Sequence, residues 1–164
     1  MAWNSGATMS QLDRSTQPFG LATTGGRVST TGVGGFILGG GGGWLDRKFG
    51  LACDNLVSAE IVTADGDLMT ASADENPDLF WALHGGGGNF GVATSMSLKL
   101  HEISSVTAAL LFWDPEDGPK VLRAYRAAVV ETQFRELGAL VNVMTAPSAS
   151  RRRPSVTRSC NGAL

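Results

Sequence analysis

Gly25, Gly26, Gly32, Gly34, Gly35 and Gly39 through Gly43 place ten of the chain's 22 glycines in nineteen residues. Each glycine ordered on folding costs more conformational entropy than any other residue, so a cluster this dense needs a reason. Three physical reasons exist: positive φ, a turn too tight for a Cβ, or main-chain N–H groups that must come close to a ligand such as a pyrophosphate. Glycine content alone fits a flexible linker equally well. Phe36, Ile37, Leu38, Trp44, Leu45, Phe49 and Leu51 argue against the linker, because large apolar side chains at such intervals need a core to enter. Ser29, Thr30 and Thr31 before the run, and Asp46, Arg47 and Lys48 after it, supply the polar punctuation.

The chain has 164 residues, 43% of them hydrophobic and 17% charged, enough for a domain with a real core. A formal net charge of −2 leaves no electrostatic footprint for nucleic acid or an anionic membrane, so phosphate recognition has to be local. No stretch has the roughly 18 apolar residues of a membrane span, and the N-terminal MAWNSGATMSQLDR lacks the basic and apolar regions of a signal peptide; a cytoplasmic protein is expected. Cys53 and Cys160 make neither a disulfide framework nor a zinc site, and Cys53 reads as a buried small apolar residue.

Taken in order, residues 6–19 read as a short amphipathic helix capped by Ser10, with Leu12 and Phe19 as apolar contacts and Pro18 and Gly20 at its end. Residues 56–62 and 68–70 flank Asp65-Gly66, the strongest hairpin signal in the chain. Residues 72–84 predict a helix with Pro77 near its first turn and Leu79, Phe80, Trp81 and Leu83 on its buried face. A half-buried strand follows at 90–100, where Met96, Leu98 and Leu100 alternate with polar residues. Further strands are expected at 108–113 and 137–145, with a helix from Pro119 to about Glu131 that carries Val121, Leu122, Tyr125, Ala128 and Val129 on one face. From Pro147 onward there is no apolar periodicity, and three adjacent arginines point to a structureless end rather than a nucleic-acid arm.

Familiar motifs do not account for the glycines. Gly34 to Gly39 has P-loop spacing, but Gly40 stands where the lysine must be. Gly86, Gly88 and Gly91 match the dinucleotide fingerprint, yet follow a helix and precede a strand, the reverse of the context its mechanism needs. His84 and His101 have no nucleophile partner and read as surface or strand-end residues. Asp54-Asn55 reads as an Asx turn, Asp46 to Lys48 as a solvated turn, and no metal-ligand spacing occurs.

The order of the pieces is more specific than any one of them. TTGVGGFILGGGGGWLDRKFGLACDN, a hairpin with ADG, ADENPDLFWALHGGGGNFGV and a strand ending SLKLH resemble, over residues 6–146, the FAD-linked oxidases of the berberine-bridge-enzyme-like branch of the vanillyl-alcohol-oxidase group. The resemblance implies an α+β fold: the second lobe of a PCMH-type FAD-binding domain followed by the start of an α/β substrate domain. It assigns residues 1–19 to a remnant of the first lobe, 20–103 to the second lobe, 104–146 to the opening of the substrate domain and 147–164 to an aberrant tail. It implies FAD as cofactor, with the main chain of Thr30, Thr31, Gly32, Val33, Gly34 and Gly35 along the flavin, and Gly39, Gly40, Gly41 and Gly43 in the adjoining turn. Asn55 and Ile61 or Val62 would hold the adenosine end. The flavin-linking histidine and the catalytic base of the family have no counterparts here, and Val28 stands where some members have a flavin-linking cysteine. The expected activity of the intact protein is hydride transfer from a small-molecule C–H bond to flavin N5, with oxygen or another acceptor as reoxidant. The 164-residue chain alone is expected to be inactive; a non-catalytic degenerate fragment or binding module is the alternative.

Overall fold

The computed structural model describes residues 2–103, 105–131 and 134–143, together with the backbone of 157–160. Its centre is a four-stranded antiparallel sheet of β1 (Ala2–Asn4), β3 (Leu56–Val62), β4 (Leu68–Ser72) and β5 (Val92–Leu98), in spatial order β1-β5-β3-β4. Trp3, Met96, Ala59 and Ala71 are register partners in one row across all four strands and mark the face turned to the core. On the opposite face Val57, Leu68 and Val92 are exposed. Small side chains at Ala59 and Ala71 let helices approach that face closely.

Two helices cover it. α1 (Met9–Thr16) contributes Met9 and Leu12, and α2 (Val33–Leu38) contributes Val33, Ile37 and Leu38, all buried with Ile61, Leu83 and Met96 in one cluster. Thr8, not Ser10, precedes α1: its N–H donates to Gln11 Oε1 at 2.8 Å, and Ser10 lies inside the first turn. A turn at Gln17–Phe19 continues α1 and ends at Gly20 with φ 66°. Phe19, expected as an apolar contact, is exposed because that turn rotates it off the buried face. β1 pairs with β5, and Met9 and Leu12 of α1 join the buried cluster formed with the later elements.

The hairpin stands where Asp65-Gly66 puts it, with Gly66 at φ 87° between β3 and β4. The helix expected over 72–84 shortens to α4 (Pro77–Ala82), since Ser72 closes β4 and its Oγ accepts the N–H groups of Asp74 and Glu75 in a turn. Leu83 is buried as expected, whereas Trp81 is exposed. A short pair, β2 (Leu21–Ala22) with β6 (His101–Glu102), ties the start of the glycine stretch to the end of β5.

The later segments are more exposed. The strand expected at 108–113 is β7 (Val106–Ala109), and Leu110 to Trp113 leave the sheet as exposed side chains. α5 (Gly118–Glu131) forms as its periodicity requires, with Val121, Tyr125 and Val129 half-buried but Leu122 and Ala128 exposed. Residues 137–143 are not a strand, and the remainder of that expected strand lies outside the described residues. Within the tail expected to be structureless, β8 (Thr157–Cys160) pairs antiparallel with β7; the rest of the tail lies outside the described residues. No helix among the described residues is long and apolar enough to cross a membrane.

Candidate functional site

The glycine stretch folds into two main-chain runs lying side by side. Residues 23–27 leave β2, and residues 40–44 follow α2; a Cβ on Gly43 would stand 2.1 Å from the Gly25 carbonyl oxygen, so the two backbones touch. Three carbonyls of the second run are anchored into the protein. Gly40 O accepts the Cys53 N–H at 2.9 Å, Gly41 O accepts the Ala52 N–H at 2.8 Å, and Gly43 O accepts Arg27 Nη2 at 3.2 Å. The N–H and C=O of a trans peptide point in opposite directions. The N–H groups of Gly41, Gly42 and Trp44 therefore face away from those anchors, and they and the Gly43 N–H have no acceptor among the described residues. Gly43 is buried and Gly41 half-buried, where an unpaired amide is costly, while Gly42 and Trp44 are exposed; together the four donors are open to an external acceptor. Thr23 Oγ1, buried at the start of the neighbouring run, likewise lacks a partner.

The glycines divide by cause. Gly40 and Gly41 have φ of 99° and 74°, and a Cβ on Gly41 would meet Phe36 Cε1 and Ala52 Cβ within 2.7 Å. Gly34 is fixed by packing, since a Cβ there would lie 2.8 Å from the Ser5 carbonyl. Gly32 and Gly35 have no such reason: their φ are not positive, and a Cβ on either meets nothing within 4 Å. An open approach beside a bare backbone is a cradle that a Cβ would partly fill. Bare N–H donors at Gly41–Trp44 suit the polar atoms of a group such as FAD, and the backbone at Gly32 and Gly35 is open to approach.

Three of the amides in the stretch expected to line the flavin, those of Thr31, Val33 and Gly34, are paired within the fold. Thr31 N–H donates to Val28 O at 3.0 Å, Val33 N–H to Ala7 O at 2.8 Å and Gly34 N–H to Ser5 O at 3.2 Å, so the loop after β1 consumes them. The Gly39 and Gly40 amides are likewise spent on Gly35 O and Ile37 O. What remains of the first group is the exposed Thr30 and Gly32, the half-buried Thr31 side chain and the open surface at Gly35.

Asn55 is also committed to the fold. Its side-chain N–H groups donate to Leu51 O at 2.8 Å and Phe49 O at 3.1 Å, and its Oδ1 lies 2.7 Å from His101 Nε2, which must be the donor. The side chain is buried, leaving no amide hydrogen for an adenosine. Ile61 is fully buried and β3 is flanked on both edges, so Ile61 and Val62 have strand partners on either side. In the chain without ligand, each of these three residues, expected at the adenosine end, is thus paired or enclosed within the fold.

Around Asn55 stands a small network that shapes the loop between α3 (Asp46–Phe49) and β3. Thr24 Oγ1 donates to Gly50 O at 2.9 Å, and Asp54 Oδ2 accepts the Leu51 N–H at 2.8 Å, a backward turn in place of the expected Asx turn. The Phe49 ring stacks on His101 with centroids 3.9 Å apart. Burial, then the nearby Lys99 charge, holds the His101 pKa below its ordinary value, and Lys48 lies on the other side of the Phe49 ring. His84 turns its Nδ1 to Phe80 O at 2.7 Å and faces no nucleophile. Cys53 is buried, and its thiol pKa is raised chiefly by that burial and then by Asp54. No cluster of metal-binding side chains occurs among the described residues.

Sequence reading missed Arg27. Its guanidinium sits 4.7 Å from the centre of the Trp44 ring while it holds Gly43 O, and it makes no ion pair among the described residues. A lone arginine between glycine and valine carries no motif, so only the fold reveals its place.

Residues 2–72 match a family model described as an FAD binding domain. The chain is 52% identical over 97 residues to the FAD-linked oxidoreductase pgmH of Aspergillus terreus, covering 59% of this chain and 20% of that protein. It is 41% identical over 111 residues to (R)-6-hydroxynicotine oxidase of Paenarthrobacter nicotinovorans, covering 67% of this chain and 24% of the relative. Among solved structures, glucooligosaccharide oxidase from Acremonium strictum superposes with a TM-score of 0.74 at 32% identity, over 83% of this chain and 30% of that one. The chain thus spans between 20% and 30% of the length of these three proteins.

Proposed function

Because this chain belongs to the FAD-linked oxidoreductases of the vanillyl-alcohol-oxidase group, we propose that its glycine seam is part of the flavin cradle of an enzyme that oxidises a small molecule. The observation that carries the reading is the row of N–H groups at Gly41, Gly42, Gly43 and Trp44 with no acceptor among the described residues; in the same stretch, Gly32 and Gly35 are required by neither packing nor φ. When bound, FAD supplies hydride acceptance from a substrate C–H bond; the protein's part is to bind, orient and shield it. Here that part is divided. The Gly41–Trp44 amides donate to the cofactor's electron-rich atoms, Gly32 and Gly35 leave their side of the backbone open, and the Asn55–His101 network holds the loop that follows α3. Residues 104–146 are proposed to open the substrate domain, and the named relatives, a nicotine-derivative oxidase and an oligosaccharide oxidase, mark the range of small molecules such a domain takes.

The test is a titration of the uniformly ¹⁵N-labelled chain with FAD. Amide shifts are expected at Gly32, Gly35 and Gly41 through Trp44, with Gly66 at the hairpin unmoved. Shifts confined to the Gly85–Gly88 run, or no shifts with FAD in millimolar excess, would sink the reading.

A further inference from the structure

We propose that Arg27 is a positioning residue of the cofactor seam: by holding the Gly43 carbonyl it turns the Gly43–Trp44 peptide so that the Trp44 N–H faces the bound group. The inference rests on the flavin-cradle reading and goes beyond it in assigning a residue that no motif marks. Two of the three anchored carbonyls in the second run are held by backbone N–H groups, those of Ala52 and Cys53. The third, Gly43 O, is held by a side chain alone, Arg27 Nη2 at 3.2 Å. Gly43 is the position where main chain meets main chain at Gly25, so that peptide has almost no room to tilt once its carbonyl is pinned. A glycine has the widest choice of ψ of any residue, and without the pin the peptide plane after Gly43 is free to rotate.

The guanidinium is itself held. It lies over the Trp44 ring at 4.7 Å, and because Arg27 and Trp44 are both exposed at their outer edges, the stack preorganises a side chain that would otherwise sample many rotamers. Arg27 and Trp44 thereby form a clasp across the two runs, and the charge of Arg27 stays unneutralised by any carboxylate among the described residues. Lysine in its place keeps the charge but loses the planar fork and most of the stack.

The experiment compares the ¹⁵N-labelled wild-type chain with Arg27→Ala and Arg27→Lys, first without ligand and then in FAD titrations, with Tm measured for each. In Arg27→Ala the Gly43 and Trp44 amide shifts are expected to move without ligand, Tm to stay within about 3 °C, and the FAD affinity read from the Gly41–Trp44 shifts to fall about tenfold. Arg27→Lys is expected to restore less than half of the lost shift perturbation. Unmoved Gly43 and Trp44 shifts in Arg27→Ala would overturn the assignment, as would an FAD affinity equal to wild type; both results leave the cradle reading standing. A wild-type chain whose seam amides ignore FAD overturns the cradle reading, and the cofactor role of Arg27 falls with it.

Discussion

Gly34 and Gly35 are neighbours that lack a side chain for opposite reasons. A methyl group on Gly34 would press on the Ser5 carbonyl, whereas one on Gly35 would enter empty space on the outer side of α2. Gly34→Ala is expected to destabilise the chain by about 1–3 kcal/mol, as overpacking does. Gly35→Ala is expected to stabilise it by about 0.5–1 kcal/mol through helix propensity while weakening FAD-induced shifts at the seam. Urea unfolding of the two variants separates them, and equal losses of stability would show that both glycines serve packing alone. At this scale the cluster itself was legible, because such density has few physical causes. Which glycines serve the fold and which serve a ligand was not, since that depends on Ser5, Gly25 and Ala52 arriving from elsewhere in the chain. Arg27 was invisible for the same reason: its partners, Gly43 and Trp44, are near in space through the turn after α2.

At the scale of elements, the loop from α3 to β3 depends on one buried amide. Asn55→Ala leaves the Leu51 and Phe49 carbonyls and the His101 N–H without their partner, and a loss of about 2–3 kcal/mol in chemical unfolding is expected. His101 makes the same loop sensitive to acid. Its pKa in the folded chain lies below that of the unfolded chain, chiefly through burial and then through Lys99. The unfolded state therefore binds the proton more readily, so the contribution is fully present above the unfolded histidine pKa of about 6.5 and is lost as pH falls through the folded value. Tm is expected to decline below about pH 6.5, and His101→Gln to flatten that part of the curve; an identical decline in the variant would assign it to the carboxylates. The Asp65-Gly66 hairpin, α1, α5 and the alternation in β5 could be read from local chemistry. The shortening of α4 could not, because Ser72 and Glu75 compete for its first turn through a hydrogen bond that closes β4.

For the whole molecule, every member of the buried cluster lies between Met9 and Leu98, while Leu110, Leu111, Trp113, Phe134 and Val143 are exposed. Contacts between the two parts include Arg47 Nη1 to Leu137 O at 3.5 Å, the close approach of Gly138 to the Trp44 carbonyl, and an exposed Lys48–Glu136 pair at 3.3 Å, which contributes little. A chain ending at Ile103 is expected to unfold cooperatively with Tm within about 3 °C of the full chain and to bind far less of a dye that reports apolar surface. A non-cooperative melt would mean that residues beyond 103 belong to the core. With its seam open on one side, the 164-residue chain is expected to emerge colourless from gel filtration after incubation with FAD and to show no turnover; retained flavin absorbance would show the seam sufficient by itself. The α+β class and the family were legible from the order of motifs along the chain. The pairing of β1 with β5 was not, because nothing local in Ala2–Asn4 names its partner.

That partner is the strand at residues 95–97, to which Ala2, Trp3 and Asn4 are joined in register. During synthesis residues 2–4 leave the ribosome long before their docking edge exists, and at roughly 5–20 residues per second the wait is roughly 5–20 s. Until then the indole of Trp3 lacks the Met96 partner it meets in the sheet, and a contact this distant in sequence carries a loop-closure cost that the neighbouring β3–β4 hairpin does not.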